Sequence, residues 1–150
     1  MILKLFKKNK HNLETSDNLD IIKITSLLIH AAKIDENYTD KEKKIIRQFI
    51  LTYSKEKIEN LDEKKILDIF KKSEENEKNS NQILEFTKEV KTKDINLKKL
   101  VLKTLWEIVL SDNKSGIYES NLIRRICGLL YLPDKLSGEI KSSILENKKK

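Results

Sequence analysis

Glycine and proline are scarce in this chain: three glycines and one proline among 150 residues leave little material for glycine-dependent turns or for a β-sandwich. A single cysteine, Cys127, excludes an intrachain disulfide and any metal centre built from several cysteines. Its place after Ile126 in an apolar run makes it a buried filler and not a nucleophile. Histidine is equally sparse. His30 lies inside an apolar helix pattern, where a packed and hydrogen-bonded role is the expectation, and His11 offers it no second ligand. No stretch approaches the roughly 20 uninterrupted apolar residues of a bilayer-crossing helix. The opening MILKLFKKNK puts its apolar residues ahead of the lysines with no long hydrophobic core behind them, unlike a secretory signal. A cytoplasmic protein is therefore expected.

What is abundant is Lys, Leu, Ile and Glu, a composition that favours helices. Only 38% of residues are hydrophobic, but they fall in periodic runs, so a folded domain is expected and not a disordered chain. The formal charge is +7, and its distribution says more than its sum. Lys4, Lys7, Lys8 and Lys10 stand near the start without a compensating acid, and Lys148, Lys149 and Lys150 close the sequence. With those seven lysines set aside, the 31 basic residues fall to 24, equal to the 24 acidic ones. A neutral body argues against a phosphate-tracking surface, so nucleic acid is not the expected partner and could be held only through the basic ends.

Taken in order, Ile2, Leu3, Leu5 and Phe6 beside Lys4, Lys7 and Lys8 form a short amphipathic foot. It suits either packing on the domain or an anionic membrane surface, with the apolar side chains in the interface and the lysines at headgroups. From Leu19 to Ile34 the apolar positions describe a helix buried on more than one side. Thr39 and Glu42 have the spacing of a capping box, which opens a helix through Ile45, Ile46, Phe49 and Ile50 to about Tyr53. A third helix follows an Asp62 cap through Ile66, Leu67 and Phe70, and the polar run Ser73 to Ser80 predicts that it frays there. A short helix carries Ile83, Leu84, Phe86 and Val90, and Asp94 caps the next, whose core face includes Leu97, Leu100, Val101, Leu105, Ile108 and Val109. Trp106 extends that face and is expected to pack against the first half of the chain. Pro133 suits the start of a last helix with Leu136, Ile140, Ile144 and Leu145. The expected architecture is all-α, about seven helices. A basic amphipathic segment or linker occupies 1–15, a helical domain 16–147 and a basic tail 148–150.

Two stretches organise this layout. Thr104 to Leu132 reads as helix, polar bend and helix, and Leu27 to Ile50 is a weaker copy. In each an Asp closes the first helix and a Glu lies seven residues on: Asp35 with Glu42, and Asp112 with Glu119. If the units pack with approximate twofold symmetry, four carboxylates approach one another, an oxygen-rich setting for Ca²⁺ or Mg²⁺ with Asn37 and Asn113 as supplementary ligands. The spacing is too short for an EF-hand loop. The same residues also have an internal use. Asp35 and Asp112 can accept backbone N–H bonds in the bends, Glu42 and Glu119 can serve helix N-termini, and Arg124 and Arg125 can neutralise the acids.

The run LWEIVLSDNKSGIYESNLIRRICGLLYLP resembles the TerB family, the all-helical domain associated with tellurite resistance, and especially its short stand-alone members. Their second repeat typically reads Leu-Trp, an apolar turn, Ala-Asp-Gly, an apolar residue, an acid, then Tyr-Glu and Leu-Ile-Arg-Arg-Ile. Leu105, Trp106, Asp112, Tyr118, Glu119, Leu122, Ile123, Arg124, Arg125 and Ile126 occupy those places here. Ala31, Ala32, Asp35 and Glu42 resemble the family's other acidic bend. Members usually have Gly directly after the Asp, where this chain has Glu36 and Asn113, and Gly116 falls where the second acid of the bend is common. The resemblance implies a compact helical domain with paired acidic bends. It implies no established molecular activity, and one apolar-flanked thiol does not fit tellurium detoxification.

The leading functional expectation is a non-enzymatic interaction or scaffold module with an unknown protein partner. It would bind a divalent cation at the bends and sit at the periphery of the inner membrane. A metal-dependent enzyme using clustered carboxylates is the alternative, although no Ser-His-Asp or Cys-His combination and no phosphate loop accompanies them.

Overall fold

Helix α1 (residues 20–32) exposes no side chain fully: Ile21, Ile24, Leu27, Leu28 and Ile29 are essentially inaccessible, and only Asp20, Lys23 and His30 reach partway to solvent. An apolar pattern that continues round the helix leaves no face for water, so the other elements must wrap it. The computed structural model describes residues 20–34, 36–55, 57–80, 83–111 and 117–149; for Ser80, Ile117, Tyr118, Glu119 and Lys149 it describes the backbone alone. Among these residues the protein is all-helical. After α1 come α2 (Asp40–Ser54), α3 (Glu63–Ser80), α4 (Ile83–Lys91), α5 (Ile95–Val109), α6 (Ile117–Leu129) and α7 (Asp134–Lys149).

The helix starts follow from local chemistry. Thr39 accepts the Glu42 N–H at 3.1 Å, while the Glu42 carboxylate accepts the Thr39 N–H at 2.8 Å, so the capping box forms reciprocally. Asp62 accepts the Lys65 N–H at 2.8 Å and Asp94 the Leu97 N–H at 2.9 Å, opening α3 and α5 in the same way. Helix α7 starts directly after Pro133. It runs on through Lys149, and the Lys148 ammonium donates to the Leu110 carbonyl at the end of α5.

Helix α5 is the second core helix. Val101, Leu102, Leu105, Ile108 and Val109 are buried, and α2, α4, α6 and α7 all pack against it. The first helix of each helix-bend-helix unit thus lies inside, and the remaining helices cover the pair. Trp106 turns its polar edge to α7, where its Nε1 donates to Ser137 Oγ at 2.9 Å and Lys141 lies over its ring. A buried indole N–H needs an acceptor, and Ser137 supplies one, so α7 holds the polar edge of Trp106, while the residue belongs to the same core as α1 and α2.

The expected fraying of Ser73 to Ser80 does not occur: α3 is continuous to Ser80. Its polar residues form the contact with α1. Ser73 Oγ donates to the Ile69 carbonyl at 2.7 Å, Ser26 Oγ reaches the Ser73 carbonyl at 3.2 Å, and Asn76 Nδ2 donates to Ser26 Oγ at 3.0 Å. Each fully buried Ile or Leu of α1 contributes about 2 kcal/mol and each such hydrogen bond about 1 kcal/mol. Apolar burial therefore fixes where α1 lies, and the polar seam fixes how α3 is set against it. Leu67, Leu84 and Leu145, members of the expected apolar stripes, stand exposed.

Candidate functional site

The first bend gathers charge on the polar side of α3. Glu77, with only 6% of its side chain exposed, places one carboxylate oxygen 2.8 Å from Lys33 Nζ and the other 3.5 Å from His30 Nδ1. Lys33 also lies over the Tyr38 ring at 5.7 Å, and Lys43 of α2 approaches the same ring at 4.9 Å. The Tyr38 hydroxyl is enclosed without a hydrogen bond of good geometry. Burial is the main reason its pKa is pushed far above the usual tyrosine range; the negative charge of Glu74, its readiness to accept from the hydroxyl, and the charges of Glu42 and Glu77 add to this. The bend is thus an alternation of carboxylates and ammoniums around one phenol.

Glu42 is nearly inaccessible and belongs to the capping box, and its carboxylate also takes the Thr39 hydroxyl at 3.0 Å. Glu36 holds φ at +63°, in the left-handed region that disfavours side chains, where its N–H donates to the Lys33 carbonyl at 2.9 Å. That geometry accounts for the glycine usual at this place in the resembled sequences. Asn37 lies exposed beside it.

The side chains of the other candidate metal residues are not among those described. Asp35, Asp112, Asn113 and Gly116 lie outside the described residues, and for Tyr118 and Glu119 only the helical backbone of α6 is described. Arg124 and Arg125 are exposed on α6. Ile2, Leu3, Lys4, Leu5, Phe6, Lys7 and Lys8 lie outside the described residues as well. Among the described residues no group of three or more His, Cys, Asp or Glu is arranged to hold a metal ion. Nor is any described helix long and apolar enough to cross a membrane.

Sequence reasoning missed Glu74 and Glu77. Their signal was positional: Ile66, Ile69, Ser73 and Glu77 lie at helical spacing, so the apolar stripe of α3 continues into polar residues that must be buried with it. Cys127 is buried as expected, and burial raises its thiol pKa against a lowering hydrogen bond with Ser137. An open groove at the α2–α3 corner, lined by Lys57, Ile58, Asp62, Lys65, Leu67 and Asp68, mixes both charge signs. Lys65 is engaged there by the carbonyls of Glu59 and Asn60.

No curated protein and no solved structure matches the chain significantly. Residues 22–142 match the family model described as tellurite resistance protein TerB, a span that takes in both helix-bend-helix units, the seam between α1 and α3, and most of α7. The chain belongs to the TerB family.

Proposed function

We propose that this TerB domain is a non-enzymatic interaction or scaffold module, peripheral to an anionic membrane and able to take a divalent cation at its acidic bends. The observation that carries the reading is how the buried acids around the first bend, Glu42 and Glu77, are used. Glu42 serves the start of α2, and Glu77 serves Lys33 and His30 across to α1. Such carboxylates hold helices in place, and the domain is left to act through its surface. Cation binding would draw on Asp35, Asp112, Asn113 and Glu119, with Ca²⁺ or Mg²⁺ as the ions suited to oxygen ligands.

The test is calorimetric titration of chelator-treated protein with Ca²⁺ and with Mg²⁺, repeated on the Asp35→Asn and Asp112→Asn variants. Saturable binding by the parent and its loss in the variants supports an ion-responsive module. Heat that persists unchanged in both variants rules out the bends as the ion site.

A further inference from the structure

Tyr131 is the most exposed large hydrophobic residue described, at 75%, and it adopts φ +58°. It ends α6 in a Schellman motif: the Leu132 N–H donates to the Cys127 carbonyl at 2.8 Å and the Tyr131 N–H to the Gly128 carbonyl at 3.3 Å. Glycine is the usual occupant of that position, so the chain tolerates a strained backbone there while presenting an aromatic ring to the outside. Lys91, closing α4, lies 4.8 Å over the ring, and Lys98 of α5 reaches the Leu130 carbonyl next to it. Ile95, half-exposed and one turn before Lys98, shares that side of α5. Leu84 and Lys88 continue the exposed face of α4 that ends at Lys91. The result is an aromatic and aliphatic patch among lysines. Of the acids nearby, Asp94 caps α5 and Glu89 pairs with Lys23; Glu85 in the first turn of α4 and Asp134 in the first turn of α7 stand at the margin of the patch.

The position of the patch adds a second observation. The α4–α5 turn beside it is tied to the beginning of α1, with Lys93 Nζ 3.0 Å from Asp20 Oδ2. Asp20, where the described fold begins, therefore stands at the corner that carries Lys91 and Ile95. The opening of the sequence, Ile2 to Lys10, has the same apolar and lysine-rich chemistry as the patch, and an anionic surface suits both. Docking of the opening segment onto the patch is disfavoured, because both are basic.

We infer that the face formed by Leu84, Lys88, Lys91, Ile95, Lys98 and Tyr131 is a membrane-contact surface for anionic phospholipid. The tyrosine and aliphatic side chains enter the interface, and the ammoniums meet the headgroups. This rests on the membrane-peripheral part of the proposed function and assigns it a place on the folded domain.

The experiment is cosedimentation of the full chain with vesicles of phosphatidylethanolamine and phosphatidylglycerol, and with vesicles of phosphatidylcholine alone. It compares the parent, a variant with Ile2, Leu3, Leu5 and Phe6 changed to Ser, Lys91→Gln, Tyr131→Gly, and Lys78→Gln as a control on exposed α3. Tyr131→Gly relieves the backbone, so lost binding there does not signal misfolding. Lys91→Gln is expected to weaken partitioning to the anionic vesicles about fivefold and Tyr131→Gly roughly threefold, with Lys78→Gln unchanged. The variant with the serine opening should keep a phosphatidylglycerol-dependent residue of binding that Tyr131→Gly then weakens by the same factor of roughly three. Binding by the parent that the patch variants leave untouched overturns the inference while sparing membrane attachment through the opening segment. Failure of the parent to bind defeats both. Stronger binding by the patch variants would show that the opening segment covers the patch, and equal binding to phosphatidylcholine would remove the role of charge; either result overturns the inference.

Discussion

Three described residues other than glycine hold positive φ, and of these Asn60 is of the type that tolerates it best. Glu36 and Tyr131 hold positive φ values, and each carries a conformational cost of about 1 kcal/mol that a glycine would not. Glu36→Gly and Tyr131→Gly should each raise stability by about 1 kcal/mol, read as an upward shift of the denaturant midpoint with an unchanged slope. A fall in either would mean that the side chain contributes more than its backbone costs. Tyr38 makes the opposite kind of prediction. Its hydroxyl is enclosed without a good partner, so Tyr38→Phe should change stability at neutral pH by less than about 0.5 kcal/mol. Because the folded state raises the Tyr38 pKa, the parent should lose stability as pH rises past the ordinary tyrosine range near 10, and Tyr38→Phe should lose less. Parallel alkaline slopes for the two proteins would remove Tyr38 from the account.

At the scale of elements, α3 departs furthest from what its sequence suggests. Residues Ser73 to Ser80 contain no apolar side chain, and by pattern alone the helix should dissolve there. It persists because Ser73 and Glu77 are buried against α1 and their polar groups are answered. Removing Glu77 leaves Lys33 and His30, both half-buried, without their carboxylate. Glu77→Ala should therefore cost about 3 kcal/mol and raise amide exchange chiefly in the second half of α3, while Glu75→Ala on the exposed side should stay within about 0.5 kcal/mol. Equal effects of the two substitutions would show that the contacts of Glu77 with Lys33 and His30 contribute nothing to the packing of α3. The caps tell the reverse story: Thr39, Asp62 and Asp94 were legible in the sequence because their hydrogen bonds close within a few residues.

For the whole molecule, the resolved pKa changes share a direction. The Cys127 thiol is raised by burial, Lys93 by its hydrogen bond to Asp20, and Tyr38 by burial and neighbouring carboxylates. In each case the folded state holds its proton longer than the unfolded chain, so the associated stability is intact below the ordinary pKa and declines as pH rises through the folded one. Chemical denaturation between neutral pH and about pH 11 should show stability falling from about pH 9 upward, the ordinary thiol and then the lysine and tyrosine ranges. Constant stability over that interval would contradict the burial of Cys127 and Tyr38 and the pairing of Lys93 with Asp20. The surface is organised on the same scale: Asp20, Lys93, Lys91 and Tyr131 bring the start of α1 and the end of α6 to one corner, although they are far apart in the chain.

The sequence by itself determined the all-helical class, the starts of α2, α3 and α5, and the burial of α1 and α5. Apolar periodicity and local caps are properties of neighbouring residues, so they can be read in one dimension. It also carried the TerB resemblance, because the Leu-Trp and Leu-Ile-Arg-Arg-Ile runs are contiguous. Only the tertiary structure decided that the polar half of α3 is an inner surface, that Trp106 faces α7, and that Glu77 answers His30 and Lys33. It also decided that Tyr131 stands among lysines from two other helices. Those facts depend on groups distant in sequence meeting where water is excluded, and the free energy of a buried polar group is set by the partner it finds there.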